Sequence, residues 1–506
     1  MSPTDPRTPC IIGVATHTWH PDVVGADGAP EPLEMWEHVS RLAERDAGKP
    51  GLLAALDSLQ IVYCQTWEYD DAVARLAARV GAAPRHRHYS GIGGTTTQQL
   101  VNATSEAMLR GDMDLALITS AEALATKRLR KRDGGRYTAS FAPTTRSPFP
   151  WESPPNPVEV AHEVFQAWLT FAVFDAARRA HLGIGLDDYR TAMGALLAPM
   201  TQIAAHNPRA WYRTARSAAE IIAARPDNRM VGYPYTKYMV AVMDVDMAGA
   251  LLLATHERAD DLGIPAERRI YPRGWCFARD PTLVAEHPDL AHSPAMGAAS
   301  TEALRIAGLS VDDVTYFDLY SCFASSLHFA CDALGIGVGD PRGVTVTGGL
   351  PYHGGPASGY LTHSIAEMVE RLRSEPDAAG LVSGVGMHMT KHVFGVYRAS
   401  PGPVEPPDSI GVQAAVDRVG STAVVAQYDG DATVSAYSVV HGRDGSPEWA
   451  LLVCDLPSGD RTYAQARAVE LCIDAETTEL VGRTVTLHPR TVDGPAGTRR
   501  VNLATW

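Results

Sequence analysis

The stretch GIGGTTTQQLVNATSEAMLRGDMDLAL, Gly91 to Leu117, constrains the fold more than any other part of the chain. Its opening glycines permit a tight turn. Leu100, Ala103, Ala107 and Met108 share one face of the helix that follows, with Thr95 or Thr96 as its cap and Gly111 at its end. The run DLALITSA then reads as a buried strand. A glycine turn feeding a helix and a strand is the arrangement that offers a nucleophile to a substrate, yet neither Cys nor Ser stands at this turn.

Similar strand-like runs recur before residue 398: CIIGVA, LQIVYC, LALITSA, ALLLAT, VTYFDLY and LVSGVGM alternate with helical patterns. That alternation predicts an α/β fold with largely buried sheets. The order strand, polar corner, helix returns in DLYSCFASSLHFACDALGI, which permits two similar halves packed together. Between about 125 and 230 a segment rich in Pro, Arg, Trp and helical periodicity predicts a helical insertion over the sheet edge. RASPGPVEPPDS, Arg398 to Ser409, holds four prolines and a glycine and predicts a linker. Beyond it STAVVAQY, ATVSAYSVVH, WALLVCDL, QARAVELCI and RTVTLH follow closely with turns between them, the pattern of a small β-barrel. The expected domains are therefore 1–240 with the insertion at about 125–230, 241–398, a linker at 399–409, and a barrel at 410–506.

Charge narrows the function. Lys plus Arg total 44 against 58 for Asp plus Glu, and a net charge of −14 offers nucleic acid no overall attraction. No stretch approaches the roughly 20 apolar residues of a membrane span, and the N-terminus lacks a basic segment followed by an apolar one, so a cytoplasmic protein is expected. The seven cysteines are scattered without a CxxC pair, which signals neither a disulfide framework nor a zinc site.

LVNATSEAMLRGDMDLALITSAEAL resembles the stretch that follows the nucleophile in thiolases, and DMAGALLLAT, from Asp246, resembles their second-half opening strand. YSCF, Tyr320 to Phe323, stands where thiolases carry Asn-Glu-Ala-Phe or, in the sterol-carrier-protein type, His-Asp-Cys-Phe. GGLPYHGGPASG, Gly348 to Gly359, resembles their glycine–histidine loop with His353 on the catalytic His, and LVSGVGMH, Leu381 to His388, resembles the glycine-rich loop of their second cysteine. With the β-rich tail, the chain most resembles type-1 thiolase-like proteins, which carry an extra OB-like C-terminal domain. The resemblance implies a five-layered αβαβα fold of two similar halves plus that barrel, and a pocket for an acyl-coenzyme A.

Departures from the family pattern govern the expected chemistry. Gly94 falls on the position of the acylated cysteine, and Thr95 to Thr97 are poor replacements without a strong base. Val382 or Ser383 falls on the second cysteine, and neither is a base near neutral pH. Tyr320 replaces the residue that fixes the oxyanion-hole water, leaving only His353 of the usual set. Ordinary thiolysis is therefore not expected of this acyltransferase-like chain. Backbone N–H groups at Gly94 and Thr95 could still polarise a thioester carbonyl, while His353 donates a hydrogen bond to its oxygen and Tyr320 or another pocket residue moves the proton, as in a non-classical acyltransferase or a retro-aldol or retro-Claisen lyase. The alternative is a protein that binds a CoA ester or serves as a scaffold without catalysis. Ser383, Gly384 and Gly386 would line the thioester site. Arg128 and Arg130, in TKRLRKRDGGR, would reach the coenzyme A phosphates or form a solvated loop. No cofactor is implied beyond the coenzyme A of the substrate. His388 and His392 have helical spacing but no matching carboxylate, so no metal is expected. Whether the chain is a monomer or a homodimer stays open.

Overall fold

The structure is a computed structural model describing residues 4–143, 156–164, 166–493 and 497–506. The predicted runs form two sheets. The first has the order Pro9–Thr18, Asp246–Thr255, Leu115–Ala123, Ser58–Ile61 and His86–Tyr89. The second has the order Tyr271–Arg279, Lys391–Arg398, Ala379–Gly386 and Tyr316–Asp318. Leu115–Ala123, Asp246–Thr255 and Ala379–Gly386 are buried along their whole length, as continuous apolar runs require when both faces are covered.

The two sheets enclose the helix after the glycine turn, Thr96–Arg110, and its companion Tyr360–Ser374. Pro32–Ala47 covers the first sheet from outside and Pro294–Ala307 covers the second, which completes five layers, αβαβα. A helix between two sheets cannot be amphipathic in the ordinary sense. Thr96–Arg110 buries Thr97, Gln98, Asn102, Thr104 and Ser105 beside Leu100 and Met108, whereas Ala103 of the expected apolar face is exposed. Buried polar groups here find partners: Gln98 Nε2 donates to Asn102 Oδ1 (2.8 Å) and Tyr397 donates to Gln98 Oε1 (2.7 Å).

The tail forms a closed barrel of five strands: Gly430–His441, Pro447–Asp455, Arg461–Ala466, Arg499–Thr505 and Thr484–Val492, the last returning to the first. Two expected tail strands differ. STAVVAQY, 421–428, is irregular, and QARAVELCI divides between the end of Arg461–Ala466 and the helix Val469–Thr477. Ser409–Asp417, after the prolines, is helical.

The insertion is helical, with Ala167–His181 and Leu186–His206 as its long elements. It reaches well beyond a sheet edge. Ala167–His181 packs against the barrel strand Gly430–His441, and the hairpin of Met230–Gly232 and Tyr235–Thr236 extends the barrel sheet through Val440 and Gly232. Tyr463 of the barrel donates to Glu159 (2.7 Å), Val284 N–H donates to the same Oε1 (3.1 Å), and Arg179 pairs with Glu479. Burial raises the Glu159 carboxyl to about 7, above its ordinary 4.5.

A carboxyl whose folded value is raised costs stability once the unfolded chain ionises, from about pH 4.5 upward, and the full cost is present above about pH 7. Glu159→Gln keeps an oxygen acceptor for Tyr463 and Val284. It is expected to stabilise the protein by about 1–2 kcal/mol near pH 8 and by much less near pH 5, as read by chemical denaturation at both values.

Candidate functional site

The sequence places a nucleophile elbow at Gly94 with no side chain, and the structure shows what fills the space. A Cβ at Gly94 would collide with the Tyr320 hydroxyl and the Val385 carbonyl oxygen, with the Tyr320 Cζ atom 2.5 Å away. Tyr320 is reached through a short strand and corner: Tyr316–Asp318 ends, residues 319–323 turn, and the helix Ala324–Leu334 begins. The corner is tied locally. Ser326 donates to the Tyr320 and Phe323 carbonyls (2.7 and 2.8 Å), and Tyr320 N–H donates to Ser383 Oγ (2.9 Å).

The glycine-rich strand presses on the same point. A Cβ at Gly384 would stand 3.0 Å from the Gly94 carbonyl oxygen, and one at Gly386 would stand 3.3 Å from Thr95 Oγ1. Both glycines lie in the extended strand Ala379–Gly386, and close approach is what their small size permits. Thr95 is the cap residue of the helix but makes no capping bond with its side chain; its hydroxyl accepts from Gln99 (2.7 Å). Gly94, Thr95, Tyr320, Ser383, Gly384 and Gly386 thus form one cluster. Val382 points instead into the apolar layer between the sheets, with Tyr397 and Leu253.

His353 joins this cluster through Tyr360. The Tyr360 ring meets Tyr320 edge-on at 5.6 Å between centroids and His353 at 6.3 Å. His353 lies on a loop whose Gly349 has φ of 77°, where an added Cβ would collide with Met200 and Ser321, so glycine is favoured there. Its Nδ1 is 3.5 Å from Asn207 Nδ2 and its Nε2 is 3.4 Å from His363 Nδ1. Burial first, then the Arg209 charge, push His353 down to about 3 from 6.5, and burial, then His353 and then Arg209, hold His363 well below its ordinary value. Both imidazoles are therefore neutral near pH 7, and the Nε2 of His363 is buried without a partner.

Three supporting groups escaped the sequence reading. His363 follows Tyr360 by one turn of the same helix, a spacing that could have marked it. Asp318 accepts at Oδ2 from Val346 N–H (3.0 Å), Thr347 N–H (3.1 Å) and the Thr345 and Thr347 hydroxyls, and at Oδ1 from Tyr360 (2.8 Å). It fixes the loop before His353 and the ring between His353 and Tyr320 together. Asp175, on the insertion, accepts from Tyr189 (2.7 Å) and Tyr235, and lies 2.9 Å from His328 Nδ1. The Tyr235 and Phe171 rings then pack on Phe323, which braces the Tyr320 corner from the insertion side. No sequence signal links these residues.

Other candidates lie elsewhere. Arg128 pairs with Asp244, and Arg130 donates to the Asp27 carbonyl (2.6 Å), so both are engaged on the helix Leu124–Arg132. His388 meets Thr170 (2.9 Å) and His392 meets Asp280 (3.0 Å), so the two imidazoles serve separate partners. Among the described residues no group of three or more His, Cys, Asp or Glu is arranged to hold a metal. Burial raises the Cys322 thiol to about 12, which makes it inert. No helix among the described residues is long and apolar enough to cross a membrane.

Residues 411–491 match the family described as the thiolase-like protein type 1 additional C-terminal domain. The crystal structure of a monomeric SCP2-thiolase-like protein type 1 from Mycobacterium smegmatis is 30% identical, with a TM-score of 0.85 over 99% of this chain and 100% of that one. A 3-ketoacyl-CoA thiolase of Salmonella heidelberg (strain SL476) is 30% identical over 152 residues, 27% of this chain and 33% of that protein. The chain thus matches about a third of the length of that curated relative. The Ltp2–ChsH2(DUF35) aldolase shares the fold alone, at 16% identity and a TM-score of 0.59 over 77% of this chain and 98% of that one.

Two outcomes follow from the geometry. Gly94→Ala is expected to destabilise the protein by about 1–3 kcal/mol, and Tyr320→Gly to offset part of that loss in a double-mutant cycle; strict additivity would refute the contact. The ring resonances of His353 and His363 are expected not to titrate between about pH 5 and 8. Because the folded value of His353 is depressed, its contribution to stability is complete above about pH 6.5 and is lost as pH falls toward 3.

Proposed function

The chain belongs to the SCP2-thiolase-like protein type 1 family of the thiolase superfamily, and from that premise we propose that it binds an acyl-CoA thioester without forming an acyl-enzyme and cleaves or rearranges it by proton transfer alone. The observation that carries this reading is the Tyr320 phenol in the volume of the missing nucleophile side chain. Thioester attack needs a thiolate or an activated hydroxyl, and position 94 has neither.

The remaining groups suit an enolate route. Burial raises the Tyr320 phenol far above its usual value, so it is an acid at neutral pH and can donate to developing negative charge. It stands at the start of the helix Thr96–Arg110, where free backbone N–H groups and the helix dipole favour an oxyanion. Neutral His353 supplies a hydrogen bond to the thioester oxygen without a charge of its own. In a retro-aldol cleavage of a β-hydroxyacyl-CoA the hydroxyl would give up its proton as the Cα–Cβ bond breaks to release an aldehyde, these groups would stabilise the thioester enolate left behind, and Tyr320 would deliver a proton to its α-carbon and recover one from the hydroxyl. An aldolase shares the fold, which makes such chemistry compatible with the scaffold.

A second reading rests on a specific observation. His353 is 1% exposed, and Tyr320 with the Val385 carbonyl closes the space above Gly94, as expected of a protein that holds a ligand or a partner without turnover.

The deciding experiment incubates the protein with β-hydroxyacyl- and β-ketoacyl-CoAs, follows aldehyde and free thiol, and measures binding by calorimetry. Under the lyase reading Tyr320→Phe lowers turnover by about 10²–10⁴-fold while binding persists. Binding without products supports the non-catalytic reading. No heat with any acyl-CoA rejects both.

A further inference from the structure

Two arginines outside this site lie within reach of each other's charge, and among the described residues neither makes an ion pair. Arg273 lies on Tyr271–Arg279 and Arg398 ends the neighbouring antiparallel strand Lys391–Arg398. Tyr397 pairs with Pro272 and Val396 with Gly274, so Arg273 is the extra residue of a β-bulge. A bulge re-aims the side chain it carries. Here it turns the Arg273 guanidinium inward, to 9% exposure, within reach of the Arg398 charge.

Among the described residues neither arginine makes an ion pair. Arg273 donates to the Ser400 carbonyl (3.2 Å) and Arg398 to the Asp377 carbonyl (3.4 Å). The Nε–H of each is buried with no acceptor. Asp313 feels the Arg398 charge, but its carboxylate is occupied by Ser310 N–H and hydroxyl (2.8 and 2.7 Å). Burial, and then the Arg398 charge, depress the Arg273 guanidinium. Other arginines in the molecule show the usual solution: Arg178 is forked on Asp332 (2.6 and 2.9 Å) and Arg342 on Asp340 (2.8 and 2.7 Å).

Two neighbouring cations with unfilled donors cost stability unless an anion lies between them. We propose that Arg273 and Arg398 form a binding site for a divalent oxyanion of the phosphate type, at the joint where the linker leaves the second sheet. Two guanidiniums match the charge of a phosphate dianion, and their planar forks match its oxygens. The site stands about 20 Å along the strands from the Gly386 end that touches the elbow, so it is separate from the thioester site. The linker crosses it: the Ser400 carbonyl is an acceptor, and the Gly402 backbone passes against the Arg273 guanidinium so closely that a side chain there would collide. Occupancy would therefore brace the linker to the second sheet.

The test titrates the full chain with inorganic phosphate at constant ionic strength, by calorimetry and by melting temperature, beside Arg273→Met and Arg398→Gln. Each variant is expected to weaken phosphate binding by about tenfold or more. In phosphate-free chloride buffer Arg398→Gln is expected to melt above the parent, since the repulsion has gone. Adenosine 3′-monophosphate separates the sources: affinity about tenfold above inorganic phosphate assigns the site to a phosphomonoester, and equal affinity assigns it to free phosphate. No phosphate heat with the parent, or unchanged affinity in both folded variants, overturns the proposal.

Discussion

The contact between Tyr320 and Gly94 ties the corner after the second sheet's Tyr316–Asp318 to the glycine turn that opens the helix Thr96–Arg110. The phenol and the Val385 carbonyl occupy the volume a side chain at 94 would need, so the glycine, the tyrosine corner and the glycine-rich strand accommodate one another. The supporting structure serves that arrangement. Asp318 holds Tyr360 against Tyr320, Ser383 receives the Tyr320 N–H, and the Asp175 cluster braces Phe323 from the insertion. A cysteine at position 94 would require this whole set to move.

Desolvation then sets the kind of chemistry available. His353, His363 and Tyr320 are buried, and in a medium that penalises charge the imidazoles stay unprotonated while the phenol stays protonated. Arg209 adds to the effect by repelling a proton from both rings, because Glu367 and Glu370 hold its guanidinium (2.6 and 2.6 Å) beside them. Such a site works with neutral donors and acceptors.

The barrel and the insertion form one packed unit with the body. Arg461 of the barrel donates to the Ala285 carbonyl (3.4 Å) and also to that of His287, Tyr463 donates to Glu159, and the Asn502 N–H donates to His162 Nε2 (3.2 Å). Helix Ala167–His181 touches both the barrel and the helix after the Tyr320 corner, so the insertion links the tail to that corner. The added domain thereby fixes the corner from behind rather than lying free on a tether.

Reading the sequence by period and by turn residues was enough for the layers, because continuous apolar runs such as LALITSA and ALLLAT need cover on both faces. It was enough for the glycine turn before the helix Thr96–Arg110 and for the glycine-rich loop around His353, since glycine spacing is a local property. It was misleading where burial breaks local rules. Ala103 completes an apolar stripe and is exposed, His86–Tyr89 is too polar to read as a strand, and part of QARAVELCI is a helix. The basic run at 127–132 resembles a free patch, yet Arg128 and Arg130 are engaged by residues about 100 positions away. Partnerships of that kind depend on which segments the tertiary packing brings together. Tyr320 facing Gly94, Asp318 beneath Tyr360, and Arg273 beside Arg398 were for that reason decided only by the fold: one-dimensional patterns record what each segment must bury, and the three-dimensional contacts determine against what.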